Sequence, residues 1–303
     1  MAKYAVIDVG TNSIKFHIAE KSADGKWSVI ADKVNITRLG EGLQATGTIS
    51  VEAMERNVKA LSEMAQNVRE HGVSEFVAVG TMCLRTAQNA QEFIARVKEA
   101  CQLTIEVIPG EEEARLAYIA VKSGIGLDQG KLVIFDTGGG STEFIFGQDE
   151  QIEQRFSLNV GAVRYTEHIL TSDPVTAAER EQARTAISQD LGDLQFDETV
   201  DALVGMGGTV TNLSAVKHQL TQYQPEIIQG SVLERSEIDR QIELYASKSI
   251  AERQKIVGLQ PKRADVILAG TMIVSAIMEK AGVDSFTVSD RGLRHGLIVD
   301  RFA

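Results

Sequence analysis

Two stretches of the sequence combine an aspartate, glycines and hydroxyl side chains in the same order. Residues 7–16 read IDVGTNSIKF and residues 135–144 read FDTGGGSTEF, and the Asp, the first Gly, the Ser and the closing Phe are identical. Glycine tolerates positive φ, so the N–H groups of such a turn can converge on one anion. An Asp beside the turn is suited to holding a hard cation. The repeat therefore predicts two turns that bind phosphate together with a divalent metal.

The elements that must position these residues can be inferred from the flanking sequence. Each stretch follows one apolar run and leads into another, which is typical of a strand, a tight turn and a second strand. A single turn of this kind is more often structural than functional, but two copies in the same Asp-x-Gly-x-x-Ser order favour phosphate binding. We therefore expect two halves of the chain, each with one hairpin, to face each other across a cleft.

The repeat supplies most of the candidate ligands. An oxygen-only set without a His/Cys cluster favours Mg²⁺ or Mn²⁺ over a metal held by nitrogen or sulfur. The candidate metal ligands are Asp8, Asp136 and Glu143, and the last lies in the outgoing strand, where it could also serve a metal-bound water. The candidate phosphate ligands of the turns are Thr11, Asn12, Ser13, Gly138, Gly139, Gly140 and Ser141.

Two further features are candidates for phosphate binding. Residues 205–209 read GMGGT between a predicted strand and helix, and free N–H groups at a helix N-terminus bind anions, although close packing explains the glycines equally well. This motif adds Gly207, Gly208 and Thr209. Arg85 follows a strand and has the side chain best shaped for bidentate phosphate contact. A surface salt bridge is the commoner role of a lone arginine, and the same alternative applies to Arg291 and Arg294.

Three consecutive glutamates, residues 111–113, begin a predicted helix after a Pro-Gly break. Carboxylates in the first turn complement the helix dipole, which explains all three without any function. Phosphate hydrolysis also requires an activated water, and a carboxylate is the usual base in a chain without a suitable histidine. Position along the sequence does not select one of the three.

Composition restricts the class of protein. The chain has 303 residues, 43% of them hydrophobic and 24% charged, which is ordinary for one large or two medium globular domains. The net charge of −11 argues against a nucleic-acid partner. A polyanionic substrate would require local Arg and Lys residues, or bound Mg²⁺, to reverse the field at the site.

The cysteines and the apolar runs predict a cytoplasmic protein without a membrane partner. Cys83 and Cys101 have neither metal-ligand spacing nor a disulfide framework, which is typical of a reducing compartment. We expect no leader before the first strand. The longest apolar run, Val266 to Met278, is too short to cross a bilayer and predicts a buried helix.

Strands and helices alternate along the whole sequence, which favours an α/β fold. Ser50 is a suitable N-cap for a helix from Val51 to about Glu70. We expect the connection between the halves at residues 122–129, which predicts domains at 1–124 and 125–303. The final helix, about 293–303, could pack back on the first domain.

Five motifs together resemble the exopolyphosphatase/guanosine pentaphosphate phosphohydrolase (Ppx/GppA) family. They are residues 8–13 (DVGTNS), 110–115 (GEEEAR), 136–143 (DTGGGSTE), 207–209 (GGT) and 289–294 (SDRGLR), in the family's order and spacing. The resemblance implies the actin-like ATPase superfamily fold, with two ribonuclease-H-like domains and an interdomain active site. It also implies Mg²⁺-dependent removal of the terminal phosphate from inorganic polyphosphate or from guanosine pentaphosphate.

The resemblance assigns roles as well. It singles out Glu113, directly before Ala-Arg-Leu, as the catalytic base. It matches Asp136 and Glu143 to acidic positions that serve metal and water. It matches Asp8 to the first-hairpin carboxylate and Arg85 to a phosphate-contacting arginine.

The leading interpretation is an exopolyphosphatase, and three alternatives stay open. They are a guanosine pentaphosphate 5′-phosphohydrolase, a non-enzymatic sensor of guanosine tetra- or pentaphosphate, and a kinase or ATPase of the same superfamily. Intact Glu113, Asp136 and Glu143 argue against a sensor, and the lack of a cysteine-rich zinc motif argues against a small sugar kinase. Because the sequence lacks the C-terminal helical domains of long family members, we expect short or medium polyphosphate to be preferred. The sequence does not specify the oligomeric state, for which a homodimer is one option.

Overall fold

The computed structural model describes residues 2–11, 13–23, 27–126, 129–192, 194–196 and 200–302. By its internal contacts the chain divides into two compact units, residues 1–120 with 293–303 and residues 121–292. The domain limits expected from the sequence, 1–124 and 125–303, stay a prediction.

The first unit is a mixed sheet with helices on both faces. Its elements up to residue 125 are β1 (Ala2–Val9), β2 (Ser13–Lys21), β3 (Trp27–Ile36), α1 (Leu43–Thr46), α2 (Val51–Glu70), β4 (Glu75–Gly80), α3 (Met82–Thr86), α4 (Ala90–Cys101), β5 (Ile105–Val107) and α5 (Gly110–Ile125). The strand order within the described residues is β3-β2-β1-β4-β5, with β1, β2 and β3 antiparallel and β4 and β5 parallel to β1. This order is ribonuclease-H-like.

The second unit repeats that sheet order. Its elements are β6 (Lys131–Thr137), β7 (Thr142–Gln148), β8 (Gln151–Leu158), α6 (Ala162–His168), α7 (Ala177–Asp190), β9 (Ala202–Met206), α8 (Gly207–Lys217), α9 (Pro225–Ile228), β10 (Val232–Glu234), α10 (Arg235–Ala246), α11 (Ile250–Arg253), α12 (Ile267–Ala281) and β11 (Ser285–Ser289). The described strands lie in the order β8-β7-β6-β9-β11-β10, so that β10 extends an otherwise matching sheet. Two mixed sheets with flanking helices confirm the predicted α/β class.

The last helix, α13 (Leu293–Phe302), belongs to the first unit. Successive residues of a strand point to opposite faces of the sheet. Ile7 and Phe16 pack on one face of the first sheet, in the core that includes Leu61 of α2. Val6 packs on the other face, against Leu297 of α13. The alternation of apolar residues in β1 and β2 thus supplies two separate layers of helix packing.

Helix α12 contains the long apolar run of the sequence and is buried along most of its length, which confirms the predicted core helix. No helix of the described residues is long and apolar enough to cross a membrane.

Helix α2 begins and ends at the expected residues, and Ser50 Oγ accepts a hydrogen bond from the Ala53 N–H at its N-terminus.

The structure departs from the expected elements in several places, which include the short elements α1, α3, α9, β10 and α11. Residues 122–125, assigned above to the connection, continue α5. Strand β8 and helix α10 were not expected from the sequence. Strand β8 has no fully buried side chain, so its apolar signal is weak. Helix α10 carries Ile238, Ile242 and Tyr245 at helical spacing, a local signal that was overlooked.

Candidate active site

The first hairpin joins β1 to β2 and carries Asp8 near the end of the buried strand. A hydrogen bond from the Gly10 N–H to the Ser13 carbonyl, 3.1 Å long, closes the turn. Asp8 is 3% exposed and lies directly opposite Lys15 in the strand register. Its Oδ2 is 3.5 Å from Lys15 Nζ. A cation of the protein itself therefore compensates this buried carboxylate.

The remaining predicted ligands of the first turn are only partly described. The Thr11 carbonyl accepts a hydrogen bond of 2.9 Å from the Gly40 N–H, so the loop after β3 supports the turn. Asn12 lies outside the described residues. The phosphate-binding roles of Thr11, Asn12 and Ser13 stay predictions.

The second hairpin has the same backbone turn with different charges. The Gly138 N–H donates to the Ser141 carbonyl at 2.9 Å. Asp136 pairs in register with Glu143, so both carboxylates lie on one face of adjacent strands. Glu143 Oε1 accepts hydrogen bonds from Ser141 Oγ at 2.5 Å and from Ser157 Oγ at 2.8 Å. The Ser141 hydroxyl thus orients Glu143.

Helix α6 begins directly against the glycines of this second turn. The Ala162 and Val163 N–H groups donate to the Gly138 and Gly139 carbonyls at 3.0 and 2.8 Å. A Cβ at Gly161 would lie 2.3 Å from the Gly139 carbonyl oxygen, so only glycine allows this approach. The contact fixes the turn and leaves Gly139 and Gly140 exposed.

The third glycine-rich turn lies beside the Asp136 carboxylate. Gly207 has φ of +85°, and a Cβ there would lie 2.0 Å from Asp136 Oδ1. The Thr209 hydroxyl donates to the Thr137 carbonyl at 2.8 Å and is buried, so it links α8 to the second hairpin. The structure therefore brings the predicted residues of the second unit together around Asp136. Their phosphate-binding roles stay predictions.

Arg263 is a member of this cluster that the sequence analysis missed. Its guanidinium lies so close to Gly208 that a Cβ there would be 2.0 Å from the Arg263 terminal nitrogen. Burial lowers the pKa of the guanidinium, and the nearby charges of Asp136 and Asp265 oppose that shift. A half-buried cation beside a half-buried glycine turn is suited to an anionic ligand. No motif could reveal it, because Arg263 follows Gly208 by more than fifty residues.

Arg85 and Glu113 form a pair within the first unit. Arg85 donates from one terminal nitrogen to Glu113 Oε2 at 3.0 Å and to the Ile108 carbonyl at 2.8 Å. The side chains are 27% and 37% exposed, so both can be reached by a substrate. The pair comes from α3 and from the first turn of α5.

The neighbouring glutamates differ from Glu113 in their contacts. Glu112 accepts two hydrogen bonds of 2.8 Å from Arg115, which also contacts Asp300 of α13 at 2.8 Å. The Arg115 hydrogen bonds lower the pKa of the Glu112 carboxyl. Glu111 is exposed. Glu112 thus joins α5 to α13, whereas Glu113 points to the predicted phosphate-binding arginine.

The second hairpin fits a hard divalent cation better than the first. Asp136 and Glu143 are cross-strand neighbours, so their Cβ atoms are about 5 Å apart and their charges repel each other. Arg263 offsets part of the charge of Asp136, and a bound cation would offset more. Carboxylate oxygens are the ligands that Mg²⁺ prefers. Asp8 already pairs with Lys15, which leaves less charge for a metal.

A cavity of about 700 Å³ borders the Gly208 turn. Its wall includes Asn212, Tyr223, Gln260 and Arg263. Volumes of a few hundred to a thousand Å³ are typical of small-molecule sites. The cavity therefore extends the candidate site of the second unit beyond its glycine turns.

The two arginines near the C-terminal motif have structural contacts. Arg291 donates to Ser123 Oγ at 3.1 Å. Arg294 is 8% exposed and binds Asp32 through two hydrogen bonds of 2.9 and 3.0 Å. Both observations agree with the salt-bridge or packing alternative rather than with substrate contact.

Comparison with known proteins relates this geometry to one family. Residues 18–303 match the model of the Ppx/GppA phosphatase family. Exopolyphosphatase 2 of Mycobacterium tuberculosis is 31% identical over 312 residues, which cover 98% of this chain and 98% of that protein. The crystal structure of the type II variant of the Aquifex aeolicus Ppx/GppA phosphatase superposes with a TM-score of 0.91 at 34% identity, over all of both chains.

Other relatives are longer than this chain. The guanosine-5′-triphosphate,3′-diphosphate pyrophosphatase of Photobacterium profundum is 33% identical over 98% of this chain and 59% of its own length. The bifunctional 3-dehydroquinate synthase/phosphatase of Fusobacterium nucleatum is 32% identical, and the chain spans 46% of its length.

Proposed function

The chain belongs to the Ppx/GppA phosphatase family, and from this premise we propose that it is a metal-dependent exopolyphosphatase. This proposal rests mainly on the Asp136–Glu143 carboxylate pair, which lies beside three exposed or half-buried glycines. Such an arrangement would place a cation next to a turn that binds phosphate. The alignment with exopolyphosphatase 2 over nearly the full length of both chains supports polyphosphate as the substrate.

Asp136 and Glu143 would hold Mg²⁺ or Mn²⁺, with Asp8 as a further candidate ligand. A bound dication would neutralise charge on the phosphate oxygens that develops as the bridging bond breaks. The remaining positive charge would come from Arg85 and Arg263. These cations would offset the net charge of −11 where the polyanion binds.

Glu113 would act as the general base. The water oxygen attacks the terminal phosphorus while Glu113 takes its proton, and the bond from that phosphorus to the bridging oxygen breaks. The shortened polyphosphate leaves with the bonding electron pair, and orthophosphate is released. Arg85 holds Glu113 Oε2 at 3.0 Å and so fixes the orientation of the base.

One observation favours a second candidate, the guanosine pentaphosphate 5′-phosphohydrolase. The cavity beside Gly208 has an aromatic ring, Tyr223, and two amide side chains, Asn212 and Gln260, in its wall. Such groups can stack on a purine and hydrogen-bond to its edges. The relative from Photobacterium profundum bears the name of that activity.

The deciding experiment measures phosphate release from short polyphosphate, long polyphosphate, guanosine pentaphosphate and ATP in parallel, with Mg²⁺ present. We expect the highest kcat/KM with short or medium polyphosphate. A higher value with guanosine pentaphosphate would select the second candidate. Reaction in ¹⁸O-water should place the label in released orthophosphate, and label-free product would indicate transfer to another acceptor.

A further inference from the structure

A cluster of three metal-ligating side chains lies in the first unit, apart from every residue assigned above to the reaction. It joins His17 of β2, Asp32 of β3 and His295 of α13. One ligand atom from each, two imidazole nitrogens and one carboxylate oxygen, lies within 4.8 Å of the others. The three residues are far apart in sequence, so only the folded unit brings them together.

His17 has an unsatisfied nitrogen in this cluster. The residue is 3% exposed, and within the described part of the chain its Nδ1 has no hydrogen-bond partner. A buried ring nitrogen without a partner is unfavourable. The same nitrogen is aimed at Asp32 Oδ2, 3.4 Å away. A ligand between the two groups would satisfy it.

The distances match a coordination shell better than hydrogen bonds. His17 Nδ1 and His295 Nε2 lie 3.4 and 3.6 Å from the same oxygen, Asp32 Oδ2. Nitrogen–oxygen hydrogen bonds usually span about 2.7–3.2 Å. A tetrahedral site with bonds of about 2.0–2.1 Å separates neighbouring ligand atoms by about 3.3 Å. Small rotations of the side chains would therefore complete three corners of such a site.

Arg294 supports the carboxylate of this cluster. Its guanidinium donates to Asp32 Oδ1 at 2.9 Å and to Oδ2 at 3.0 Å, and it is 8% exposed. Each carboxylate oxygen has two lone pairs, so Oδ2 can accept this bond and still bind a cation. Hydrogen bonds that orient a ligating carboxylate are a regular feature of metal sites.

We propose that His17, Asp32 and His295 form a Zn²⁺ site. Two imidazoles and one carboxylate are a ligand set that zinc accepts, with water in the fourth position, and that Mg²⁺ disfavours. The bound ion would tie α13 to β2 and β3, and so fix the last helix of the chain to the first sheet. Because the unfolded chain lacks the assembled site, binding would stabilise the fold.

The test uses the untagged full chain, stripped with chelator and then dialysed against Zn²⁺ in excess Mg²⁺, which occupies carboxylate-only sites. Metal analysis should give one Zn²⁺ per chain, and the Tm should rise by about 5 °C at saturating metal. Co²⁺ in place of Zn²⁺ should produce the visible absorption of a site with four or five ligands that include imidazole. Each readout is independent of phosphatase activity.

Single variants identify the ligands. His17→Gln and His295→Gln should each weaken Zn²⁺ binding by at least about 100-fold and abolish the Co²⁺ band. His168→Gln and His218→Gln are the matched controls, since each removes one exposed histidine of the second unit, and both should bind like the unaltered chain.

Two results would overturn the proposal. One is an unaltered chain that takes up no stoichiometric Zn²⁺ and shows no Co²⁺ band, which would leave an ion-paired cluster of Arg294, Asp32 and two histidines. The other is retention of metal by a folded His17→Gln or His295→Gln chain. If both variants fail to fold, metal content and the Co²⁺ spectrum of the unaltered chain still decide the question.

Discussion

The two hairpins share one backbone design and differ in charge. In each, the first glycine N–H donates to the serine carbonyl three residues later, at 3.1 Å in the first and 2.9 Å in the second. The residue across from the aspartate is Lys15 in the first hairpin and Glu143 in the second. The residue across the hairpin is thus a cation for Asp8 and a second carboxylate for Asp136, whose nearby cation, Arg263, comes from outside the hairpin.

This difference implies a division of labour between the two units. The second unit has the features of a cation and phosphate site, with Arg263 beside the glycine turn. The first unit has a neutralised hairpin and the Arg85–Glu113 pair. A repeated scaffold with substituted side chains can thus carry two different tasks.

The largest effect on activity is expected for Glu113→Gln, which tests the role of the first unit. Glu113→Gln keeps the size of the side chain but cannot accept a proton, so kcat on polyphosphate should fall roughly 10²- to 10⁴-fold with a smaller change in KM. Glu111→Gln and Glu112→Gln are the controls and should retain far more activity. Thermal melts should accompany them, because Glu112 also bonds to Arg115. Near-normal turnover in Glu113→Gln would show that the base has been misassigned.

The next largest effect is expected in the Mg²⁺ dependence of activity, which compares the two aspartates directly. Asp136→Asn should raise the Mg²⁺ concentration for half-maximal activity at least about 10-fold, because a charged oxygen ligand is lost. Asp8→Asn should raise it less, since Asp8 is already paired with Lys15. The measurement is a Mg²⁺ titration of phosphate release after chelation. Equal shifts would show that both aspartates serve the metal and that the Lys15 pair does not separate their roles.

A smaller effect concerns the glycines around Asp136. Gly207→Ala requires an alanine at φ +85° with its Cβ 2.0 Å from Asp136 Oδ1, so the free energy of unfolding should fall by about 1–3 kcal/mol. Gly140→Ala is the control, because nothing lies within 4 Å of a Cβ at that position. Denaturant unfolding of the two variants provides the comparison. A Gly140→Ala chain as unstable as Gly207→Ala would argue against the contact with Asp136.

The smallest effect on activity is expected for the cysteines, both of which lie in the first unit. Burial raises the pKa of the Cys83 thiol from 9.0 to about 11, so at pH 8 its thiolate is roughly 100-fold scarcer than in the unfolded chain. Alkylation of a Cys101→Ser chain, which retains only Cys83, should be slow at pH 8 and should leave activity unchanged.

The sign of the pH dependence follows from the raised pKa. Below pH 9 the Cys83 thiol is protonated in both the folded and the unfolded chain, so its contribution to the free energy of unfolding is fully present. Between pH 9 and about 11 only the unfolded thiol ionises, so stability falls as pH rises. Rapid alkylation of the folded chain at pH 8 would contradict the buried, protonated thiol.

The repeat, the α/β class and most helices and strands could be predicted because each depends on local signals. Apolar periodicity locates β1, β2 and α12, and Ser50 marks the start of α2. Strand β8 was missed because it has no fully buried side chain and gains order from pairing with β7. Helix α10 was missed although Ile238, Ile242 and Tyr245 give it a local helical pattern.

The sequence alone determined which residue types could perform phosphate chemistry and where along the chain they stand. Only the tertiary structure decided their partners. It placed Lys15 across the hairpin from Asp8, paired Glu113 with Arg85, and packed the Arg263 guanidinium against Gly208. The hairpin register sets the first of these contacts within one motif, whereas long-range packing sets the other two, which no single motif encodes. The arginines therefore reach Glu113 and Gly208 only when distant segments fold together.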